Sequence, residues 1–234
     1  EGQPPPFKAM RIHNVEIDHD SVVHSLDPTE EQRRNQRAHY LANVTMIDEK
    51  VGAIMQTLER KGLLEDTIII FSSDHGDCLT DHGHSQKWTM YDTVTRVPLI
   101  AWAPERIPTR GKTEALVQLM DVGPAILEFA GAQCPDNLEA ISLLPALEGK
   151  AFAGREYVFA EQVRDLNYTE GTFQTMVRSH DWKLVHFLDE PRGQLFNLRD
   201  DPDEFDNLWD SPEHQTMKHK LMSVLCDWQV QSQL

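Results

Sequence analysis

Thr67-Ile68-Ile69-Ile70-Phe71-Ser72-Ser73-Asp74-His75-Gly76 is the stretch that decides the fold. Its first half is apolar and β-branched without alternation, the pattern of a strand buried on both faces in a parallel sheet. It then breaks off in two serines, an acid, an imidazole and a glycine. Open α/β sheets bind ligands beyond the carboxyl ends of their strands, so Asp74 and His75 are delivered to that crevice. A carboxylate beside an imidazole suits a metal, since oxygen favours hard cations and nitrogen favours borderline ones. The plainer alternative makes Asp74 a helix cap and His75 a hydrogen-bonded loop residue.

Working outward, residues 1–26 contain Pro4-Pro5-Pro6 and many polar side chains, and they read as an extended arm or active-site loop. His13, His19 and His24 lie within this arm. Asp27-Pro28-Thr29-Glu30 announces a helix with an N-cap, a proline at the first position and an acid at the third. Tyr40, Leu41, Val44, Ile47, Val51, Ile54, Met55 and Leu58 then recur at helical spacing until Gly62, so the helix is expected to pack on something. Beyond Gly76 a short helix is expected around Gln86 to Val94 and a second buried strand from Val97 to Trp102. An extended segment from Thr113 to Leu119 follows, then a helix capped by Asp121 and ended by Gly131.

From about Gly154 the pattern changes to short strand candidates: Tyr157 to Glu161, Phe173 to Arg178, Trp182 to Leu188 and Gln194 to Leu198. A terminal amphipathic helix begins at Ser211. The fold class is therefore α/β: a mostly parallel sheet sandwiched by helices over residues 1–153, then a small antiparallel sheet and helix over 154–234. Trp182, Leu184, Leu195, Phe196 and Leu198 are expected on the inner face of the small sheet, with Leu221, Leu225 and Trp228 over it.

Composition bounds the function. Twenty-two Lys plus Arg against 38 Asp plus Glu give a formal charge of −16 over 234 residues, which argues against nucleic acid and anionic membranes as partners. No apolar run is long enough to span a membrane. Cys78, Cys134 and Cys226 are an odd number without C-x-x-C spacing, which favours a reducing compartment, cytoplasmic over periplasmic or secreted.

The order and spacing of several segments resemble sulfatases of the alkaline phosphatase superfamily. They are Gly62-Leu63-Leu64-Glu65-Asp66-Thr67, Ser73-Asp74-His75-Gly76, Asp81-His82-Gly83, Lys87, Tyr91 and Arg96-Val97-Pro98-Leu99-Ile100. The resemblance resumes at Arg178-Ser179-His180-Asp181-Trp182-Lys183-Leu184, Leu195-Phe196-Asn197-Leu198, Asp201-Pro202, Glu204 and Asn207-Leu208. It implies the C-terminal part of an alkaline phosphatase-like α/β domain with Asp74 and His75 as metal ligands. Calcium is the usual ion; manganese or zinc serves in the phosphonate monoester and phosphodiester hydrolases of the same superfamily. The other ligands and a formylglycine nucleophile, made from Cys or Ser in a C/S-x-P-x-R motif, belong to the N-terminal half of the catalytic domain, which is the implied partner.

No cysteine or serine here stands in that motif, so the chain alone is expected to be inactive. Lys87, twelve residues after His75, matches the lysine set against the transferred sulfate and is the leading catalytic and substrate-binding candidate. For an arbitrary lysine the plainer reading is a solvated side chain. His82 is a candidate to orient the site or protonate the leaving group and His84 to contact substrate, the alternative for both being structural hydrogen bonding. Gln3-Pro4-Pro5-Pro6-Phe7 resembles a segment of the family with Pro4 where an anion-contacting histidine stands. The implied substrate is a small-molecule or carbohydrate sulfate ester; the other readings are a phosphonate ester hydrolase and a non-catalytic binding module.

Overall fold

The computed structural model describes residues 3–17, 27–104, 106–108, 111–163 and 173–233. His19 and His24 lie outside them. The N-terminal segment is a helix, α1 (Pro5–Ile17), where an irregular arm was expected. Prolines at the first turn cost nothing, because the N–H they lack has no intrahelical acceptor there. Phe7 and Met10, one turn apart, are both buried.

The long helix, α2 (Glu30–Arg60), is capped by Thr29 and not by Asp27. Thr29 Oγ1 accepts from the Gln32 amide at 3.3 Å, and Gln32 Oε1 accepts from the Thr29 amide at 2.7 Å, a reciprocal capping box. Gly62, with φ at 65°, closes the other end in the left-handed region. No residue of α2 is buried among the described residues, and Leu41, Val44, Ile47 and Ile54 stay exposed. The stripe expected to pack is uncovered; α2 is instead tied to the loop after His75 by an Arg37–Asp81 ion pair of 2.5 Å.

β1 (Ile69–Ser72) and β2 (Leu99–Trp102) pair antiparallel, Ile69 opposite Trp102 and Ser72 opposite Leu99. The expected parallel sheet is absent among the described residues, and both strands are only partly buried. Apolar runs without alternation say nothing about the direction of the partner, and here the chain loops back directly onto the strand it has just left. Within that loop the helix is only α3 (Asp92–Thr95), because Gln86 and Trp88 take positive φ values of 59° and 72° that a helix excludes.

Helices α4 (Val122–Phe129) and α5 (Leu144–Leu147) follow. Asp121 makes no side-chain cap on α4. It is fully buried and accepts instead from the amides of Gln118 and Ile141 and from the Arg155 guanidinium. The extended segment before it contributes one isolated bridge, Leu116 to Arg155.

The late strands form an antiparallel meander in sequence order: β3 (Val158–Val163), β4 (Phe173–Arg178), β5 (Trp182–Phe187) and β6 (Gln194–Asn197), followed by α6 (Gln215–Gln231). Both faces of this sheet are covered. Leu221 and Leu225 of α6 pack on Val177, Leu184 and Leu195, with Trp182 and Trp228 beside them. On the opposite face Met176, Val185, Phe187, Phe196 and Leu198 meet Phe7, Met10, Trp88, Met90 and Tyr91. Side chains alternate along a strand, so the single inner face expected for Leu195, Phe196 and Leu198 is split in two. The second face is what seats the loop carrying the candidate site. No described helix is long and apolar enough to cross a membrane.

Candidate active site

β1 ends where Ser73 Oγ donates to the His75 carbonyl at 2.8 Å, and Gly76 then donates its amide to Val94 O at 2.8 Å. A Cβ on Gly76 would strike the Thr93 carbonyl, so only glycine allows this approach. Asp74 Oδ1 accepts from the His75 amide at 2.9 Å. That bond is the main cause that holds the Asp74 carboxyl below its ordinary range. The carboxylate is 82% exposed, free to meet a ligand.

His75 Nδ1 lies 2.8 Å from the Gly76 carbonyl oxygen, which can only accept, so the proton is assigned to Nδ1 and Nε2 is left as a bare acceptor. Nε2 faces Lys87 Nζ at 3.1 Å and Asp74 Oδ2 at 3.5 Å. A carboxylate, an imidazole lone pair and an ammonium thus converge at the end of β1. Asp74 and Nε2 suit a divalent cation, and the backbone bond on Nδ1 is the support such a histidine needs. They are two donors only: among the described residues no group of three or more His, Cys, Asp and Glu side chains converges. A cation held here needs further ligands from elsewhere.

The loop from Asp77 to Gln86 is closed by Asp77 Oδ1, which accepts from the amides of Leu79 at 2.8 Å and Gln86 at 2.9 Å. Cys78 is buried within it, and burial pushes its thiol up to about 11, so it stays protonated and is no nucleophile.

The two histidines of this loop go elsewhere. His82 stacks flat on Tyr91, with ring centroids 3.7 Å apart, and lines a cavity of about 440 Å³ with Gln3, Gln194 and Phe205. Asp74 lines a separate cavity of about 780 Å³ with Arg96, Arg178 and His180. Burial lowers the His82 pKa, against the opposing charge of Asp81. His84 is only 3% exposed, its ring edge-on to Phe7 at 5.0 Å. It packs in the core, where a solvent-borne substrate does not reach it.

A buried ionic cluster escaped the sequence reading. Lys183 Nζ, with its side chain 0% exposed, lies 2.5 Å from Asp92 Oδ1 and 2.6 Å from Glu204 Oε1, and Arg178 reaches Asp92 Oδ2 at 3.0 Å. Burial raises the Glu204 pKa; for Asp92 the same effect is outweighed by Lys183 and Arg178, which hold it low. The signal was available: a lysine between Trp182 and Leu184 points to the face opposite α6, where an unpaired charge has no place.

The sulfatase family model matches residues 16–132, and the model described as N-sulphoglucosamine sulphohydrolase, C-terminal, matches residues 80–231. The N-acetylglucosamine-6-O-sulfatase of Bacteroides thetaiotaomicron is 31% identical over 196 residues, covering 82% of this chain and 35% of that protein. The solved structure of a 2-O GAG sulfatase superposes with a TM-score of 0.85 at 25% identity, covering 96% of this chain and 49% of its own. The phosphonate monoester hydrolase of Silicibacter pomeroyi also gives 0.85, at 28% identity, covering 97% and 47%. The chain spans a third to a half of the length of these proteins, and it belongs to the sulfatase family, as a C-terminal part.

Proposed function

We propose that the complete protein hydrolyses a sulfate ester carried on a sugar, with Asp74 and His75 as two ligands of a divalent cation, calcium first, and Lys87 against the transferred sulfate. The observation that carries this reading is the His75 ring, fixed through Nδ1 so that Nε2 lies 3.1 Å from the Lys87 ammonium and 3.5 Å from the Asp74 carboxylate. When bound, the cation polarises a sulfuryl oxygen and holds the nucleophile. Lys87 neutralises the anion and stabilises charge building on its oxygens. Nε2 of His75 would serve the metal in place of its bond to Lys87, and the ammonium would then be free for the sulfate. The nucleophile comes from outside this chain, whose buried Cys78 thiol is unfit for the task. The chain alone is therefore expected to leave aryl sulfates and phosphonate esters intact.

The sulfated sugar is supported by the names of the N-acetylglucosamine-6-O-sulfatase and 2-O GAG sulfatase that resemble the chain. A second reading, phosphonate monoester hydrolysis with manganese or zinc, is supported by the equally close superposition on the phosphonate monoester hydrolase. Turnover of sulfate against phosphonate monoesters by the complete protein, loaded with each metal in turn, separates them; absence of both activities leaves a binding module. The site itself is tested in the complete protein by metal content and turnover. Asp74→Ala and His75→Ala are expected to lose both together, and Lys87→Ala to keep metal while losing turnover. Full metal occupancy with near-normal turnover in Asp74→Ala overturns the assignment.

A further inference from the structure

We propose that Lys183 is a positioning residue for Lys87: its buried ammonium fastens the 87–92 segment to the small sheet, so a strand that does not reach the site aims the lysine that does. The proposal rests on the reading of Lys87 given above. The segment has no regular structure of its own before Asp92, and Gln86 and Trp88 hold left-handed backbone that non-glycine residues avoid. Its shape is imposed from outside.

The sheet imposes it through a row of polar anchors. Gln174 of β4 donates to Trp88 O at 2.8 Å, Lys183 of β5 to Met90 O at 3.0 Å, and Gln194 of β6 to the Tyr91 hydroxyl at 2.8 Å. Glu204 accepts from the Asp92 amide at 2.6 Å, while the Asp92 carboxylate meets Lys183 and Arg178. Between these anchors Trp88, Met90 and Tyr91 pack on Met176, Val185, Phe187 and Phe196. Lys183 stands at the centre. It is the only one of these anchors to bind both the backbone and a side chain of the segment, and it also pairs with Glu204, which holds the Asp92 amide. Its ammonium lies within 3.0 Å of three oxygens, a compact arrangement that arginine's flat fork does not reproduce.

The test uses the complete protein, with Lys183→Met to keep the stem and remove the charge. Lys183→Met/Glu204→Gln is the second variant if the first fails to fold, since it avoids two facing buried carboxylates and keeps the Asp92–Arg178 pair. Amides of residues 86–92 are expected to exchange hydrogen about tenfold or more faster, while those of β4 and β5 keep their protection. Turnover is expected to fall about a hundredfold in kcat with KM nearly unchanged, and this loss is expected to vanish in a Lys87→Ala background. Unchanged exchange at 86–92, or losses that simply add in the double variant, overturn the proposal. The exchange result stands whether or not the protein turns over sulfate, so failure of the sulfatase reading is told apart from failure of the positioning role.

Discussion

His75 and Lys87 are twelve residues apart in sequence, and their side-chain nitrogens meet at 3.1 Å. The imidazole is turned toward the lysine by the Gly76 carbonyl, which holds Nδ1 at 2.8 Å. One backbone carbonyl therefore sets which nitrogen faces the carboxylate and the ammonium, and the glycine that bears it decides where the carbonyl lies.

Gly76→Ala tests that dependence. An added Cβ meets the Thr93 carbonyl, so residues 75–77 must move off α3 and give up the Gly76 amide bond to Val94. In the complete protein, metal content and turnover are expected to fall together, turnover by about a hundredfold for a displacement near 1 Å. Metal content equal to that of the parent, measured by elemental analysis, counts against it.

The end of β1 and the approach of Lys87 to His75 were legible in the sequence, because Ser73 to Gly76 and the spacing to Lys87 are local patterns. The late strands were legible too: β4 spans Phe173–Arg178, as alternation and turn residues indicated. What could not be read was pairing. Direction in the β1–β2 pair depends on a partner, and the two-sided burial of the small sheet depends on α1, which its prolines disguised. Asp121 shows the same limit from another side. As a residue before an apolar helix it reads as a cap, whereas two of its three partners, Ile141 and Arg155, lie 20 and 34 positions away.

Asp121→Ala is expected to destabilise the protein by about 3 to 5 kcal/mol, because it strands two amides at once and takes the carboxylate from a partly buried guanidinium, which keeps only the Glu139 carbonyl. A surface cap would cost about 1 kcal/mol. Asp121→Asn, which keeps one acceptor, is expected to fall between these values. Denaturant unfolding of the three proteins decides the matter, and a loss for alanine near that of a simple cap refutes the buried role.

Leu184 and Val185 are neighbours on β5 that point to opposite faces. Leu184→Ala opens a cavity under α6 and is expected to cost about 2 to 5 kcal/mol while leaving turnover of the complete protein near normal at temperatures where it stays folded. Val185→Ala, at about 1 to 3 kcal/mol, loosens the face that seats Tyr91 and is expected to lower turnover as well. Equal effects of both on turnover would show that the second face does not serve the site.

His84 gives the protein a predictable acid response. Burial, with Arg11 and His82 adding to it, lowers its pKa from the ordinary 6.5 to about 3, and its Nε2 has no hydrogen-bond partner among the described residues. In the unfolded chain the ring takes up a proton as pH falls below 6.5, while in the folded protein it stays neutral to about 3. The unfolded state then binds more protons, so stability is complete above 6.5 and declines as pH drops through the interval. At pH 5 the loss is about 2 kcal/mol, on the order of 4 to 8 °C in melting temperature for a chain of this size. His84→Leu fills a similar space beside Phe7 and has nothing to titrate, so between pH 7.5 and 5 its melting temperature is expected to fall less than the parent's by that amount. Other acid-sensitive groups act equally on both proteins and cancel in the difference. Parallel curves would mean that the imidazole is hydrated or protonated in the folded state, and that the core between α1 and the loop is open to water.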